Sequence, residues 1–195
     1  PGCLPTLWQD NEGFRNAYLN RYEGYYDTSD GGYIDEDGYV FIMGRTDDVI
    51  NVAGHRLSTG EMEELIGGHA AVAECAVVGI DDQLKGQLPI GLVVLKDGVE
   101  ADDAALEQEL VALIRQHIGA VAAFKKAMVV KRLPKTRSGK ILRKTIRRLA
   151  VEEKIITPPT IDDPDIIAEI RSALREHRVG QYANLPLSDA DAEGI

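Results

Sequence analysis

The sequence has few cysteines, few aromatic residues and no long apolar run. Two cysteines in 195 residues, Cys3 and Cys75, make no disulfide framework for a chain of this length, and a reducing compartment suits it best. Cys75 lies in the run Ala73-Glu74-Cys75-Ala76-Val77-Val78-Gly79, where a buried free thiol in a core strand is expected. With His55, His69, His117 and His177 scattered, the cysteines complete no metal-ligand spacing, so no metal site is expected. No apolar stretch approaches the roughly 18 to 20 residues needed to cross a bilayer. The phosphate-loop pattern Gly-x-x-x-x-Gly-Lys-Ser/Thr is absent, which removes that mode of nucleotide binding. There is no initiator methionine. The chain opens at Pro1, and we expect part of a longer protein, with any targeting signal upstream.

What is present is the composition of a globular protein, 44% hydrophobic and 28% charged, enough for one good-sized domain or two small ones. The net charge of −10 hides an asymmetry. Nine of the 22 Lys and Arg lie between Lys131 and Arg148 with no acid among them, leaving 13 against 32 acids elsewhere. An acidic protein that keeps one dense basic segment is expected to hold an anionic ligand there. Nucleic acid suits it less, because the remaining surface would repel it.

Residues 31 to 43 alternate short apolar runs with turns. Asp37-Gly38 is a hairpin signal, and the stretch reads as a β-meander at the edge of something larger. The segment 47–56 starts polar and becomes a short strand. Ser58, with Glu61 three residues on, reads as a capping box opening a helix through Met62, Leu65 and Ile66. Strands are predicted at 72–80, 88–95 and 126–132, an amphipathic helix at 102–117 and another at 141–153. The fold class is therefore α+β. We expect a β-rich segment at 1–46, a small α+β domain of about three strands at 47–153, and a tail at 154–195 with one peripheral helix.

The chemistry concentrates in Leu133-Pro134-Lys135-Thr136-Arg137-Ser138-Gly139-Lys140. Pro134 and Gly139 mark an irregular backbone, three cations project from it, and Lys140 stands just before an apolar helix. An ammonium group on such a loop can neutralise charge that develops on a phosphate. On its residues alone, the loop can also be a solvated basic turn.

The loop is similar to the PKTRSGK signature of the adenylate-forming acyl-CoA synthetases. Gly44-Arg45-Thr46-Asp47-Asp48 and Gly54-His55-Arg56 resemble that family's hinge segment, and Tyr26-Asp27-Thr28-Ser29-Asp30 resembles its nucleotide-ribose motif. The three occur in family order. The resemblance implies that 1–46 ends a large adenylation domain and that 47–153 is a mobile lid turning on Asp47. It implies that Asp30 accepts hydrogen bonds from the ribose hydroxyls of ATP or AMP, with Arg45 near ribose and phosphate and Arg56 near the phosphate. Lys140 would be catalytic, at the α-phosphate. Gly54 and Arg115 would serve coenzyme A, at the pantetheine tunnel and the 3′-phosphate. The implied cofactors are ATP, with Mg2+ in the full enzyme, and coenzyme A; the substrate is a short-chain carboxylate, propionate by the resemblance of Thr160-Ile161-Asp162-Asp163-Pro164 and of Asp82–Gln87 to propionyl-CoA synthetases, with acetate as the alternative. The fragment alone would be inactive, and neither nucleic acid nor membrane would be a partner. Acetylation of Lys140 would erase its charge, implying a lysine acetyltransferase and deacetylase as partners. The cytoplasm is the expected compartment, or the mitochondrial matrix in a eukaryote. Two other classes stay open: a non-catalytic nucleotide or coenzyme A binding module, and a structural interaction domain.

Overall fold

In the computed structural model, residues 2–46, 48–151 and 155–183 are described. They fall into two compact units that divide between Asp47 and Asp48.

The first unit begins with helix α1, Asn11–Tyr18, whose N-cap Asp10 accepts the Gly13 N–H at 2.8 Å. Strands β1 (Asp30–Ile34) and β2 (Val40–Arg45) then pair antiparallel. The Asp37-Gly38 signal does mark their turn: Asp35 Oδ1 accepts the N–H groups of Asp37 and Tyr39, and Gly38 takes φ +86°. The result is a two-stranded ribbon rather than a meander. It exposes Tyr33, Ile34, Tyr39, Val40, Phe41 and Ile42.

The second unit is built on β6 (Gly86–Leu95), which pairs along its whole length with β5 (Val72–Asp82) in an antiparallel hairpin. Its other edge takes β3 (Val49–Val52) near Gly86 and the parallel strand β7 (Lys126–Val129) opposite Ile90–Val93. Strand β4 (His55–Ser58) closes a tight hairpin with β3. The sheet thus has five strands, not about three. The reason is local: the segment read as one short strand folds back on itself at Ala53-Gly54.

Both faces of this sheet are covered, which explains why residues 76–80 are buried without alternation. One face, with Val77, Val93 and Ala127, packs against helices α2 (Thr59–Gly67) and α3 (Asp103–His117) through Met62, Ile66, Leu106, Leu110 and Ile114. Ser58 caps α2 by accepting the Glu61 N–H, as its sequence implies. The other face, with Ala76, Val78, Leu92 and Met128, packs against α4 (Arg143–Val151) and α5 (Ile166–Glu176).

Helix α5 is therefore not peripheral. Ile166, Ile167, Ile170 and Leu174 recur every three or four residues and all are buried in the core shared with Ile146 and Leu149. The chain closes this core with a short 3-10 turn at Gly180–Tyr182. There an ideal Cβ on Gly180 would stand 2.1 Å from the Ala150 carbonyl oxygen, so only glycine fits. Among the described residues, no helix is long and apolar enough to cross a membrane.

Candidate functional site

In the first unit, the antiparallel register sets Asp30, which opens β1, directly across from Arg45, which ends β2. Arg45 Nη1 donates to the Thr28 carbonyl at 3.1 Å and lies 3.8 Å from Asp30 Oδ1. That separation is too long for a hydrogen bond. The Asp30 carboxylate, about 38% exposed, keeps acceptor capacity that suits a pair of hydroxyl groups. The approach to it is fixed by Ser29 in the left-handed region, φ +58°, whose N–H donates to Asp27 Oδ1 at 2.7 Å. Asp47 lies outside the described residues.

In the second unit, Ala53 and Gly54 form the two-residue turn between β3 and β4, with φ +49° and +88°. Two positive φ values define a type I′ hairpin turn, where glycine is the natural second residue. An ideal Cβ on Gly54 would meet nothing within 4 Å, so backbone conformation and not crowding asks for glycine there. Arg56, across from Asn51 on β4, is exposed. The Ala53 N–H donates to the Lys85 carbonyl at 2.7 Å, and the Asn51 N–H to Gln87 Oε1 at 2.9 Å. These bonds join the Ala53-Gly54 turn to the β5–β6 turn.

Lys85 also lines a cleft of about 260 Å³ with Arg115, Gly119, Phe124 and Lys125. Arg115 is exposed on the last turn of α3. The β5–β6 turn, held by the Ala53 N–H, and the helix carrying Arg115, far apart in sequence, therefore border one basic cleft. From the sequence Lys85 reads as structural, and Lys125 is not singled out. The one signal that bears on Lys85 is its place beside Gly86 at the tip of the β5–β6 hairpin.

The lysine loop is a built structure, not a slack turn. The Thr136 N–H donates to the Lys140 carbonyl, and the Gly139 N–H returns to the Thr136 carbonyl, both at 2.8 Å. Thr136 Oγ1 accepts the Lys140 N–H at 3.1 Å and lies 3.0 Å from Ser138 Oγ. Gly139 turns the corner at φ +84°. Leu133 and Pro134 are buried at the root, and residues 137–140 are exposed at the tip.

The basic segment divides by role. Arg132 binds Asp163 and Glu169, each at 2.6 Å, and Lys135 binds Glu74 at 2.6 Å. Arg143 grips Glu63 through two nitrogens at 2.8 and 2.5 Å, and Arg147 meets Asp81 at 3.2 Å. The bond to Glu63, more than its charge, raises the Arg143 pKa further above its ordinary value. These four cations hold internal carboxylates, where the charge count had suggested an external anion. Arg137 and Lys140, exposed at the loop tip, form no ion pair among the described residues. No hydrogen bond joins Lys140 to Gly54, Arg56 or Arg115 among those residues. Nor could any group of three or more His, Cys, Asp or Glu among them hold a metal ion.

The comparison with protein families matches residues 61–140, from the first turn of α2 to Lys140 itself, to the AMP-binding enzyme C-terminal domain. The chain is 61% identical over 180 residues to an uncharacterized protein of Pseudomonas aeruginosa, covering 92% of this chain and 29% of that protein. It is 49% identical over 179 residues to the mitochondrial acyl-CoA synthetase short-chain family member B of Dictyostelium discoideum, covering 92% of this chain and 26% of that protein. The chain thus spans between a quarter and three tenths of these relatives. Its fold is shared with the acetoacetyl-CoA synthetase of Streptomyces lividans at TM-score 0.71 and 23% identity, covering 86% of this chain and 25% of that one.

Proposed function

We propose that the chain is the C-terminal part of an AMP-forming, short-chain acyl-CoA synthetase, in which residues 48–183 act as a lid and Lys140 is its adenylation lysine. The observation that carries this is the loop itself. Its backbone is fixed by hydrogen bonds, Arg132, Lys135, Arg143 and Arg147 around it are committed to carboxylates, and Lys140 stands exposed with no ion pair among the described residues.

In the first half-reaction a carboxylate oxygen attacks the α-phosphorus of ATP and pyrophosphate leaves. Negative charge spreads over the phosphoryl oxygens, and a cation placed there lowers the barrier without itself changing. Lys140 supplies that charge on this reading. Asp30 holds the ribose hydroxyls, Arg45 steadies the ribose side of the nucleotide, and Arg56 lies toward the phosphate. In the second half-reaction a thiol attacks the acyl carbonyl of the adenylate and AMP leaves. That thiol needs room the lysine loop occupied, and a turning lid presents different faces in sequence. Asp47 is the proposed pivot. Gly54 and Arg115 are proposed to serve coenzyme A, with Lys85 and Lys125 lining the cleft beside Arg115. A magnesium ion accompanying ATP would come with the nucleotide phosphates, and none of these residue roles depends on it.

The proposed acyl group is short, with propionate favoured over acetate on the resemblance of the tail 160–164 and of residues 82–87. The exposed apolar residues of the β1–β2 ribbon support the reading that 1–46 ends a larger domain. On the same reading the chain by itself does not adenylate, and acetylation of Lys140 would silence the first half-reaction alone. The test is Lys140→Ala in the full-length protein. Pyrophosphate release should fall by about 100-fold or more, while acyl transfer from supplied acyl-adenylate to coenzyme A persists. Unchanged pyrophosphate release would overturn the proposal.

A further inference from the structure

The lysine loop is completed by chain that comes after α4. Two hydrogen bonds join the loop to the segment 160–163. The Arg137 N–H donates to the Thr160 carbonyl at 3.2 Å and the Asp162 N–H to the Lys135 carbonyl at 2.9 Å, and together they make an antiparallel bridge between Thr136 and Ile161. On its other side, Lys135 bridges to Ile141. Residues 135–137 are thus the middle strand of a small ladder, with the entry to α4 on one side and the tail on the other.

The ladder is anchored at its root by Arg132. Its Nη1 donates to Asp163 Oδ2 at 2.6 Å, and its Nη2 and Nε donate to the two oxygens of Glu169, at 2.6 and 3.1 Å, on α5. One guanidinium therefore joins the root of the lysine loop, the end of the strap segment and the first turn of α5. A single exposed ion pair contributes little, but a planar fork held by two carboxylates fixes direction as well as distance. Beneath it, Ile161 is buried in the same core as Leu133, Ile166 and Ile170. Asp163 is held below its ordinary pKa by the Asp165 N–H and then by Arg132, and Glu169 by Arg132, so both carboxylates stay charged at neutral pH.

We propose that residues 160–163, clamped by Arg132, are a positioning strap that sets the path of the lysine loop and so the reach of Lys140. Arg132 is a positioning residue and touches no substrate. The strap matters for the step that uses Lys140 and not for acyl transfer, and in this respect it rests on the reading of Lys140 given above.

The test uses the full-length protein with Arg132→Met, Arg132→Lys and, as a milder change, Asp163→Asn. Arg132→Met should slow pyrophosphate release by about tenfold or more, since a lysine displaced by a fraction of its reach loses much of its effect. Acyl transfer from supplied acyl-adenylate should stay within about twofold of wild type. Arg132→Lys, which keeps a charge but not the fork, should recover part of the loss. Hydrogen exchange in peptides covering 133–142 and 158–165 should quicken in Arg132→Met, because the Arg137 and Asp162 amides donate across the strap. If Arg132→Met does not fold, Asp163→Asn should show the same split in smaller measure. Unaltered exchange, unaltered pyrophosphate release, or equal losses in both half-reactions would each overturn the strap. A fully active Lys140→Ala would instead overturn the reading beneath it, which a separate protein reports.

Discussion

Glu63 in the middle of α2 and Arg143 in the first turn of α4, eighty residues apart, are joined by two hydrogen bonds across the edge of the sheet. The side chains are 13% and 24% exposed, so the pair is largely withdrawn from water. Glu63 Oε1 also accepts the Val77 N–H at 2.8 Å, which ties the pair to β5. The contact is the joint between the two helical layers, and it sits immediately after the lysine loop.

Breaking it from either end should differ by what is left behind. Arg143→Met strands a partly buried carboxylate and should cost about 2 to 3 kcal/mol. Glu63→Gln should cost less, because the amide oxygen still accepts from Val77 and Arg143. Glu63→Leu also orphans the Val77 N–H and should be the most damaging of the three. Urea unfolding of each variant, compared at constant m-value, ranks them; a Glu63→Gln loss equal to that of Glu63→Leu would count against this account.

The Asp30–Arg45 pair separates nucleotide binding from stability. Asp30 is exposed and only loosely paired, so Asp30→Asn should leave the melting temperature nearly unchanged. If its carboxylate receives the ribose hydroxyls, the same change should weaken AMP binding by about tenfold or more, the cost of losing charge-assisted hydrogen bonds. Calorimetric titration of AMP into the full-length protein measures this directly.

Gly180 reports on the docking of the tail. Any side chain there meets the Ala150 carbonyl, and φ is +62°. Gly180→Ala should therefore destabilise by about 2 to 3 kcal/mol, with the earliest proteolytic cleavage moving into 155–183. An alanine variant with unchanged cleavage and melting would show that this turn can shift at no cost.

Cys75 should be a slow thiol. Burial first, and then the nearby charge of Glu63, push its pKa from 9.0 to about 11. At pH 8 a limiting alkylating reagent should label exposed Cys3 well before Cys75. The fold favours the neutral thiol, so its contribution to stability is intact below pH 9 and declines as pH rises from 9 to about 11. Cys75→Ala should flatten that decline. Comparable labelling of both cysteines at pH 8 would refute the prediction.

Much of the second unit was legible in order. Ser58 announces α2, and Leu106, Leu110 and Ile114 at four-residue spacing announce α3, because these signals are local. The β3–β4 hairpin was read as one strand, since Ala53 gives no hint that it adopts positive φ. The helix at 166–176 was visible, but its burial was not, because its partners Ile146 and Leu149 lie on another helix. The charge of the basic segment was countable, whereas its division was not. Glu63 on α2, Glu74 and Asp81 on β5, and Asp163 and Glu169 at the start of α5 come from three separate stretches of chain, and only the fold brings them to their cations. The roles of Asp30, Arg45, Asp47, Gly54, Arg56, Arg115 and Lys140 came from motif resemblance, and for them the half-reaction assays are decisive.

The parallel pairing of β7 with β6 has a consequence for the order in which the molecule assembles. The β3–β4 and β5–β6 hairpins close between near neighbours, but β7 can reach β6 only after the long crossover through α3 has been laid down. Contacts of wide sequence separation form late, because their closure entropy must be overcome first. The lysine loop follows β7 directly, and its last partner, residues 160–163, arrives later still. A nascent or refolding chain would therefore possess its sheet before its lysine loop, and native-like spectra should recover ahead of exchange protection at the Arg137 and Asp162 amides.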